Sequence, residues 1–489
     1  MLDRNNAGRA TALWISAALI LVFAAWYWML LPVGEIRHGD EILTLDRSSS
    51  FAARGDYLTV YTSNVPDFRK PPLQYWMTAG LLSRGADLEF SLRFPSWLFS
   101  MLSLAATGWL AVQISPRQAF VAPAAILLAA SSTTFWVSAT SGLLDSGAMF
   151  FGAVTVAACF AALREPRWWY AAALAIGVGS LQKAPVPLAF AAAIALGALF
   201  TAKSSGIDVR RAFMNRHFAL SLGLMLAVLL AWPVLQLTRY GTAFIQVAYI
   251  DQMVNRFSPV GTQEGFDRRS WYTILTSGEP LLRIPAMAAL FALPVMMRRS
   301  ELWALPALLS IFALMAAMGS GYVSPRYSLL FLPMLAAALA AVTLDLFAAR
   351  PRHGMVAIAV LSALSLGPLK TSDMLDLNDT QKVRANAILM EVASKLAPGE
   401  TLVTCRGSRD GLRIYAGAAS YYASRGRPFV QVRNMQELAL FQQQGLASPP
   451  YRGACHASAG DEIKAAFGPD AIVGEVDGFV HWQASTAAR

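Results

Sequence analysis

Runs of about twenty apolar residues, separated by short polar turns, recur along most of the chain and then stop. A spanning helix needs about 20 such residues, because the hydrocarbon core is about 30 Å thick and a helix rises 1.5 Å per residue. The first run is Thr11 to Pro32. Others follow near 94–113, 119–137, 146–163, 168–182, 185–202, 218–237, 281–297, 302–319, 327–347 and 355–369. The first is too long for a signal-peptide core and no small-residue cleavage site follows it, which predicts a retained helix. Residues 1–369 are therefore expected to form a polytopic α-helical membrane domain of about 11 transmembrane helices.

Beyond about Lys370 the pattern changes. Asn378-Asp379-Thr380 can cap a helix running to about Leu396, ended by Pro398-Gly399. Thr401 to Thr404 reads as a strand, and Gly474 to His481 as a hairpin around Asp477-Gly478. Residues 370–489 are expected to form a small soluble α/β domain. No internal repeat and no low-complexity stretch interrupts this division.

Composition sharpens the class. Of 489 residues 56% are hydrophobic and 14% charged, whereas soluble domains carry about 25% charge. That shortfall excludes a soluble enzyme, a disordered chain and a nucleic-acid binder. The formal charge is +10, yet residues 370–489 hold 13 Lys and Arg against 12 Asp and Glu. Nearly all the excess cation thus lies between apolar runs.

Its placement orients the chain. With a cytoplasmic N-terminus, the inside segments carry Arg4, Arg9, Arg117, Arg164, Arg167, Lys203, Arg210, Arg211, Arg216, Arg298, Arg299, Arg350 and Arg352. Only Asp3, Glu165, Asp208 and Glu301 oppose them. This satisfies the positive-inside rule at every short inside loop. An odd number of spans then leaves the tail outside, as an extracytoplasmic domain. Cys405 and Cys455 fall in that tail and Cys159 in a span; an outside pair suits a disulfide, the alternative being two free thiols.

Two outside loops are long, 33–93 and 238–280. Long loops translocate regardless of charge, and loops of this length usually carry function. The first holds His38-Gly39-Asp40-Glu41, adjacent carboxylates at the membrane surface. One can face a cleft and serve as general base; both can equally be a solvated helix cap. It continues Asp67-Phe68-Arg69-Lys70-Pro71-Pro72-Leu73-Gln74-Tyr75-Trp76. A rigid Pro-Pro turn can hold Lys70 at the interface for a phosphate, or the lysine can simply snorkel.

These segments carry a resemblance. Asp-Glu just after the first span, followed by Lys-Pro-Pro-Leu-x-Tyr-Trp, is similar to the GT-C glycosyltransferases related to lipid A aminoarabinose transferase and protein O-mannosyltransferases. Arg93-Phe94-Pro95-Ser96, Leu144-Asp145, Lys183-Ala184-Pro185 (Lys-Gly-Pro in the family) and Pro325-Arg326-Tyr327 with Leu332-Pro333 extend it over about residues 10–345. In the second loop Tyr249, Asn255-Arg256-Phe257 and Ser270-Trp271-Tyr272 resemble the family's Arg-Phe and aromatic pattern. The histidine that relatives often place before the aromatic pair is absent. Arg268 and Arg269 stand there as substitutes or as a solvated basic face.

The resemblance implies a multi-pass enzyme of the bacterial inner membrane. It would take a monosaccharide from a polyprenyl phosphate, such as undecaprenyl phosphate, and pass it with inversion to an acceptor hydroxyl or phosphate. The acceptor would be lipid A, lipopolysaccharide or another envelope glycolipid; an exported protein is the alternative. It implies Asp40 and Glu41 as catalytic carboxylates, with Asp40 the base and Glu41 orienting the loop. It implies Lys70, Arg256, Arg326 and Tyr327 at the donor phosphate. Arg69, Tyr75, Asp145, Lys183, Tyr249, Arg268 and Arg269 are candidates for the donor or acceptor site. Asp40, Lys70, Asp145, Lys183, Arg256 and Arg326 all fall at outside ends of the expected spans. No His, Cys or Asp cluster has metal spacing, so the sequence requires no metal and no other cofactor. A transporter of lipid-linked sugars is the rival class. Transporters carry midplane ionisable groups and repeated halves, whereas these spans are nearly free of charge.

Overall fold

A computed structural model describes residues 2–32, 39–62, 65–184, 186–205, 207–254, 288, 329–366, 391–405, 429–432, 434–476 and 478–487. The apolar runs appear as helices α1 (Leu2–Leu30), α4 (Leu88–Ile114), α7 (Asp145–Arg164), α8 (Trp169–Lys183), α9 (Val186–Ser205) and α11 (Arg216–Tyr240). Two later ones are α13 (Leu332–Leu346) and α14 (Pro351–Leu366). Between them lie α2 (Gly39–Arg54), a short β1–β2 ribbon (Tyr61–Thr62 and Val65–Pro66), α3 (Leu73–Leu82), α10 (Val209–Phe213) and α12 (Thr242–Ile245). The expected spans at 281–297, apart from Ala288, and at 302–319 lie outside the described residues, as does the expected tail helix before residue 391. Among the described residues five helices are long and apolar enough to cross a membrane, or six if one bent pair counts as a span.

That bent pair corrects one expectation. The run at 119–137 is broken into α5 (Val121–Ala130) and α6 (Thr133–Ala139), with a bend of 72°. A break inside a membrane must find partners for the freed backbone groups. Here Tyr27 Oη donates to the Ala130 carbonyl at 2.8 Å. Ser132 Oγ accepts from the Phe135 amide at 3.3 Å and caps the second piece.

The helices associate through small residues. α4 packs on α1, α5, α7 and α13, and α8 packs on α7, α9 and α11. The buried stripe of α13 contains Ala336, Ala337, Ala338, Ala340 and Ala341, which lets backbones approach where apolar burial alone gives helices little preference for one another over lipid. Gly152 of α7 similarly admits the ring of Phe190, whose Cε2 lies 3.0 Å from where a Cβ would sit. Outward faces stay apolar: Leu13, Trp14 and Leu21 of α1 and Leu220 of α11 are well exposed, as lipid contact requires.

Hydrogen bonds distinguish the two ends of this bundle. At one, Arg9 Nη2 donates to the Pro116 carbonyl, Arg164 Nη1 to Gln113 Oε1 and Trp169 Nε1 to the Ala212 carbonyl. At the other, Arg93 meets the end of α1, and Lys183 meets Asp145. Both long loops begin at this second end.

The tail carries a five-stranded mixed sheet in the order β4-β3-β5-β7-β6. Its strands are β3 (Thr401–Cys405), β4 (Phe429–Val432), β5 (Tyr451–His456), β6 (Ile472–Val476) and β7 (Phe479–Ala484), with helices α15 (Met435–Gln443) and α16 (Gly460–Phe467). β3 runs parallel to β4 and β5, and β7 antiparallel to β5 and β6. The expected strand at Thr401 is β3, and the expected hairpin is β6–β7, with Gly478 at φ +82° in the turn. Cys405 and Cys455 form a disulfide joining β3 to β5, and Trp482 Nε1 donates to Cys455 Sγ at 3.2 Å. Cys159 is free and buried in α7.

The indole of Trp482 lies across the strand pair where Gly453 has no side chain, so a Cβ there would overlap the ring. Gly453→Ala should destabilise the sheet by about 1–3 kcal/mol, the usual cost of overpacking. Faster limited proteolysis of the tail in the solubilised protein would report it; an unchanged cleavage rate would refute the packing.

Candidate active site

α2 opens with Asp40 and Glu41 in its first turn. Adjacent residues on a helix point about 100° apart, so the two carboxylates have different surroundings. Glu41 is fully buried: its Oε1 accepts from Arg93 Nε at 3.1 Å and from the Gly142 amide at 2.8 Å. Arg93, also fully buried, donates from Nη1 to the Leu31 carbonyl at 3.0 Å. Glu41 therefore ties α2 to α4, to the end of α1 and to the turn before α7. Gly142 must be glycine for this: a Cβ would stand 2.6 Å from Leu92 Cγ and 3.0 Å from Glu41 Cγ. Asp40, by contrast, is exposed.

The Lys-Pro-Pro turn is built on α2 as well. Asp67 Oδ2 accepts from Arg47 Nη2 at 2.7 Å and from Thr62 Oγ1 at 2.7 Å. Its Oδ1 accepts from the Arg69 amide and from Arg69 Nε, each at 3.0 Å. Burial alone would raise the Asp67 carboxyl, but Arg47, Thr62 and Arg69 outweigh it and hold the group well below its ordinary 3.8. Beyond the prolines, Tyr75 Oη accepts from Arg47 Nη1 at 2.9 Å. Tyr75 is fully buried, and burial, with Asp67 and Asp40 adding to it against Arg47, pushes its phenol up to about 12. Tyr75 thus faces protein. Arg69 is 54% exposed at the side chain, and Lys70 is half-buried.

Asp145 and Lys183 meet across the ends of α7 and α8, with Nζ 2.6 Å from Oδ1. A polar chain beside them joins four helices. Gln182 Nε2 donates to Gln74 Oε1 at 2.7 Å and to the Leu144 carbonyl at 3.1 Å. Gln74 Nε2 donates to Ser96 Oγ at 3.1 Å, and Ser96 Oγ donates to the Leu143 carbonyl at 2.9 Å. α3, which follows the Pro-Pro turn, is thereby fixed to α4, α7 and α8.

The start of the second loop docks on the first. The Leu58 carbonyl accepts from Trp232 Nε1 at 2.9 Å and Gln236 Nε2 at 2.8 Å. Arg239 pairs with Asp56 at 3.2 Å, and Phe68 packs on Tyr240 and Phe244. Tyr249 lies in a π-helical turn over Gln246–Val254, its ring edge-on to Phe244 at 5.8 Å. Burial raises its phenol. Asp40, Glu41, Arg69, Lys70, Tyr75, Asp145 and Lys183 thus gather at one end of the bundle. Arg256, Arg268, Arg269, Arg326 and Tyr327 lie outside the described residues. No group of three or more His, Cys, Asp or Glu is placed to hold a metal among the described residues.

Sequence reasoning gave Arg47 no part in the site. Its signal was spacing: seven residues after Asp40, it stands on the same side of α2, two turns on.

Two measurements probe this frame. Glu41→Gln removes the carboxylate charge that faces the buried Arg93, which should cost about 3–5 kcal/mol in unfolding of the detergent-solubilised protein; a change under about 1 kcal/mol would refute the pairing. Because the folded Asp67 carboxyl is depressed below 3.8, its contribution is complete above that pH and is lost as pH falls from there toward the folded value. The melting temperature of the wild type should therefore fall more steeply below about pH 4 than that of Asp67→Asn. Parallel curves would refute the ionised pair.

Comparison with known proteins bears on this arrangement. The family model described as dolichyl-phosphate-mannose-protein mannosyltransferase matches residues 69–236, which include the Lys-Pro-Pro turn, Asp145 and Lys183. No curated protein matches the chain. Among solved structures, ArnT from Cupriavidus metallidurans bound to undecaprenyl phosphate is similar, with a TM-score of 0.71 at 16% identity, covering 97% of this chain and 99% of that one. The same protein in the apo state gives 0.68 at 16% identity, covering 98% and 100%. The chain accordingly has the fold of ArnT along nearly its whole length and resembles the GT-C glycosyltransferases of the dolichyl-phosphate-mannose-protein mannosyltransferase family.

Proposed function

We propose that the chain is an integral membrane glycosyltransferase that moves a monosaccharide from undecaprenyl phosphate to an acceptor hydroxyl or phosphate on lipid A or a related envelope glycolipid. The observation that carries this reading is the division between the two carboxylates. Glu41 is committed to Arg93 inside the fold, while Asp40 is exposed at the end of the bundle that holds Lys70.

In the proposed mechanism Asp40 accepts the proton of the acceptor hydroxyl as that oxygen attacks the anomeric carbon. The bond to the phosphate oxygen breaks on the opposite face, so the configuration inverts. Negative charge then develops on the departing polyprenyl phosphate. Lys70, with Arg256, Arg326 and Tyr327 from the later loops, stabilises it, a role that is worth several kcal/mol in a site closed to water. Arg69 and Tyr249 line the approach. The ion pair of Asp145 and Lys183 sets the floor on which the donor rests.

The reaction is proposed for the outer face of the bacterial inner membrane. The cationic loops at the far end of the bundle, with Arg9, Arg164, Arg210 and Arg211, suit the cytoplasmic side. The disulfide of the tail suits an oxidising compartment. An exported protein as acceptor is a second reading, and the family model over residues 69–236 favours it. A transporter fits less well, since among the described residues the ionisable groups named above lie at the ends of the helices rather than midway along them.

Mass spectrometry of envelope lipids from cells with and without the chain tests the reading. Loss of one sugar from a glycolipid, with its polyprenyl-phosphate donor accumulating, is expected. Unchanged glycolipids with a sugar missing from exported proteins would shift the acceptor to protein. The absence of both changes would refute the transferase. Asp40→Asn should lower kcat by about 10²–10⁴ with donor affinity retained; full turnover in that variant would remove Asp40 as the base.

A further inference from the structure

We infer that Arg47 is a positioning residue that fixes the Lys-Pro-Pro turn, and with it Lys70, relative to Asp40. This deepens the transferase reading and rests on its assignment of Lys70 to the donor phosphate.

The geometry is a clamp closed from one side chain. The Arg47 guanidinium is 6% exposed and carries donors in a rigid fork. Nε and Nη2 reach Asp67 Oδ2 at 3.1 and 2.7 Å, and Nε also lies 3.2 Å from Thr62 Oγ1. Nη1 reaches Tyr75 Oη at 2.9 Å. Asp67 precedes the turn and Tyr75 follows it, so one planar group fastens both flanks of Arg69-Lys70-Pro71-Pro72. Asp67 passes the constraint on, since its Oδ1 holds both the amide and the Nε of Arg69. Each proline fixes its own φ. The turn is thus stiff inside, and its orientation as a body depends on what holds its flanks. Lysine contributes a point charge on a flexible stem, so the placement of that charge depends on the backbone beneath it.

The other end of the lever is Asp40. Seven residues of helix return to nearly the same side and advance about 10 Å. α2 is itself anchored at Glu41 through Arg93 and Gly142. A fixed helix thus carries the proposed base at its start and the clamp for the phosphate-binding turn two turns later. Shifting the guanidinium would move the cation without moving the base.

The test is a double-mutant cycle read by affinity for undecaprenyl phosphate in detergent micelles. Tyr75→Phe removes one acceptor and keeps the ring, so the fold is retained. It should raise Kd about three- to tenfold, the loss of one hydrogen bond, with a modest fall in melting temperature because the buried Arg47 Nη1 loses this acceptor. Arg47→Lys should raise it further. In a Lys70→Gln background, where the polyprenyl chain keeps binding measurable, adding Tyr75→Phe should change Kd less than about twofold. An additive effect, or no effect of Tyr75→Phe on Kd in the wild-type background, would overturn the inference while leaving the transferase reading in place. If Lys70→Gln binds as the wild type does, the inference falls together with the phosphate role of Lys70. Absence of binding by the wild type overturns both the inference and the donor assignment.

Discussion

The fully buried pair of Glu41 and Arg93 is the constraint from which the site's geometry follows. Two charges removed from water are costly, and their attraction offsets that cost only with good geometry and further hydrogen bonds. Both conditions are met by main-chain groups: the Gly142 amide completes Glu41 and the Leu31 carbonyl completes Arg93. Four segments distant in sequence are consequently bound at one point. Swapping in an apolar pair of equal volume would keep the packing and lose the directionality. Directionality is what a site built from several helix ends needs.

Around that point the bundle uses different physics. Lipid supplies no hydrophobic drive for helices to associate, so α4, α7 and α13 meet through alanine, glycine and serine. Where backbone groups are freed, as at the break between α5 and α6, a tyrosine from α1 and a serine cap supply partners. Polar side chains concentrate instead at one end, where Gln74, Ser96 and Gln182 link α3 to the bundle. Nonspecific close packing sets the scaffold; a few directional bonds at the rim set the loop.

Much of this was legible in the sequence. Apolar runs identify α1, α4, α7, α11 and α13 because membrane thickness imposes a length that composition cannot hide, and shorter apolar runs identify α8, α9 and α14. The Lys-Pro-Pro segment marked the loop, since prolines fix local geometry whatever surrounds them. The break at Ser131-Ser132 was not legible, because serine in a membrane helix usually bonds its own preceding turn and leaves the helix intact. Tyr27, about a hundred positions earlier, supplies one of the partners that make the break tolerable. The roles of Arg47 and Asp67 were hidden for a related reason. A loop rich in charges looks solvated in one dimension, and which of them face inward depends on partners in other elements. Adjacency on a helix did indicate that Asp40 and Glu41 have different surroundings, but which of them faces inward depends on Arg93 and Gly142, far away in sequence.

The distribution of carboxylates then gives a functional argument that does not depend on likeness to any known protein. Glu41 is engaged by Arg93, Asp67 by Arg47 and Arg69, Asp145 by Lys183 and Asp56 by Arg239. Each of these pairs joins separate parts of the chain, or, at Arg69, stiffens the turn itself, so each has structural work that protonation of the carboxylate would disturb. Strong pairing also makes a poor base, because a carboxylate held far below its ordinary pKa, as Asp67 is, resists taking up a proton. Asp40 is exposed at a helix start, on the helix whose Arg47 also holds the Lys-Pro-Pro turn. A base and a cationic turn carried by one rigid element keep a constant separation while lipid substrates of long and flexible tails come and go. That constancy is what the proposed single-displacement transfer would require of its protein.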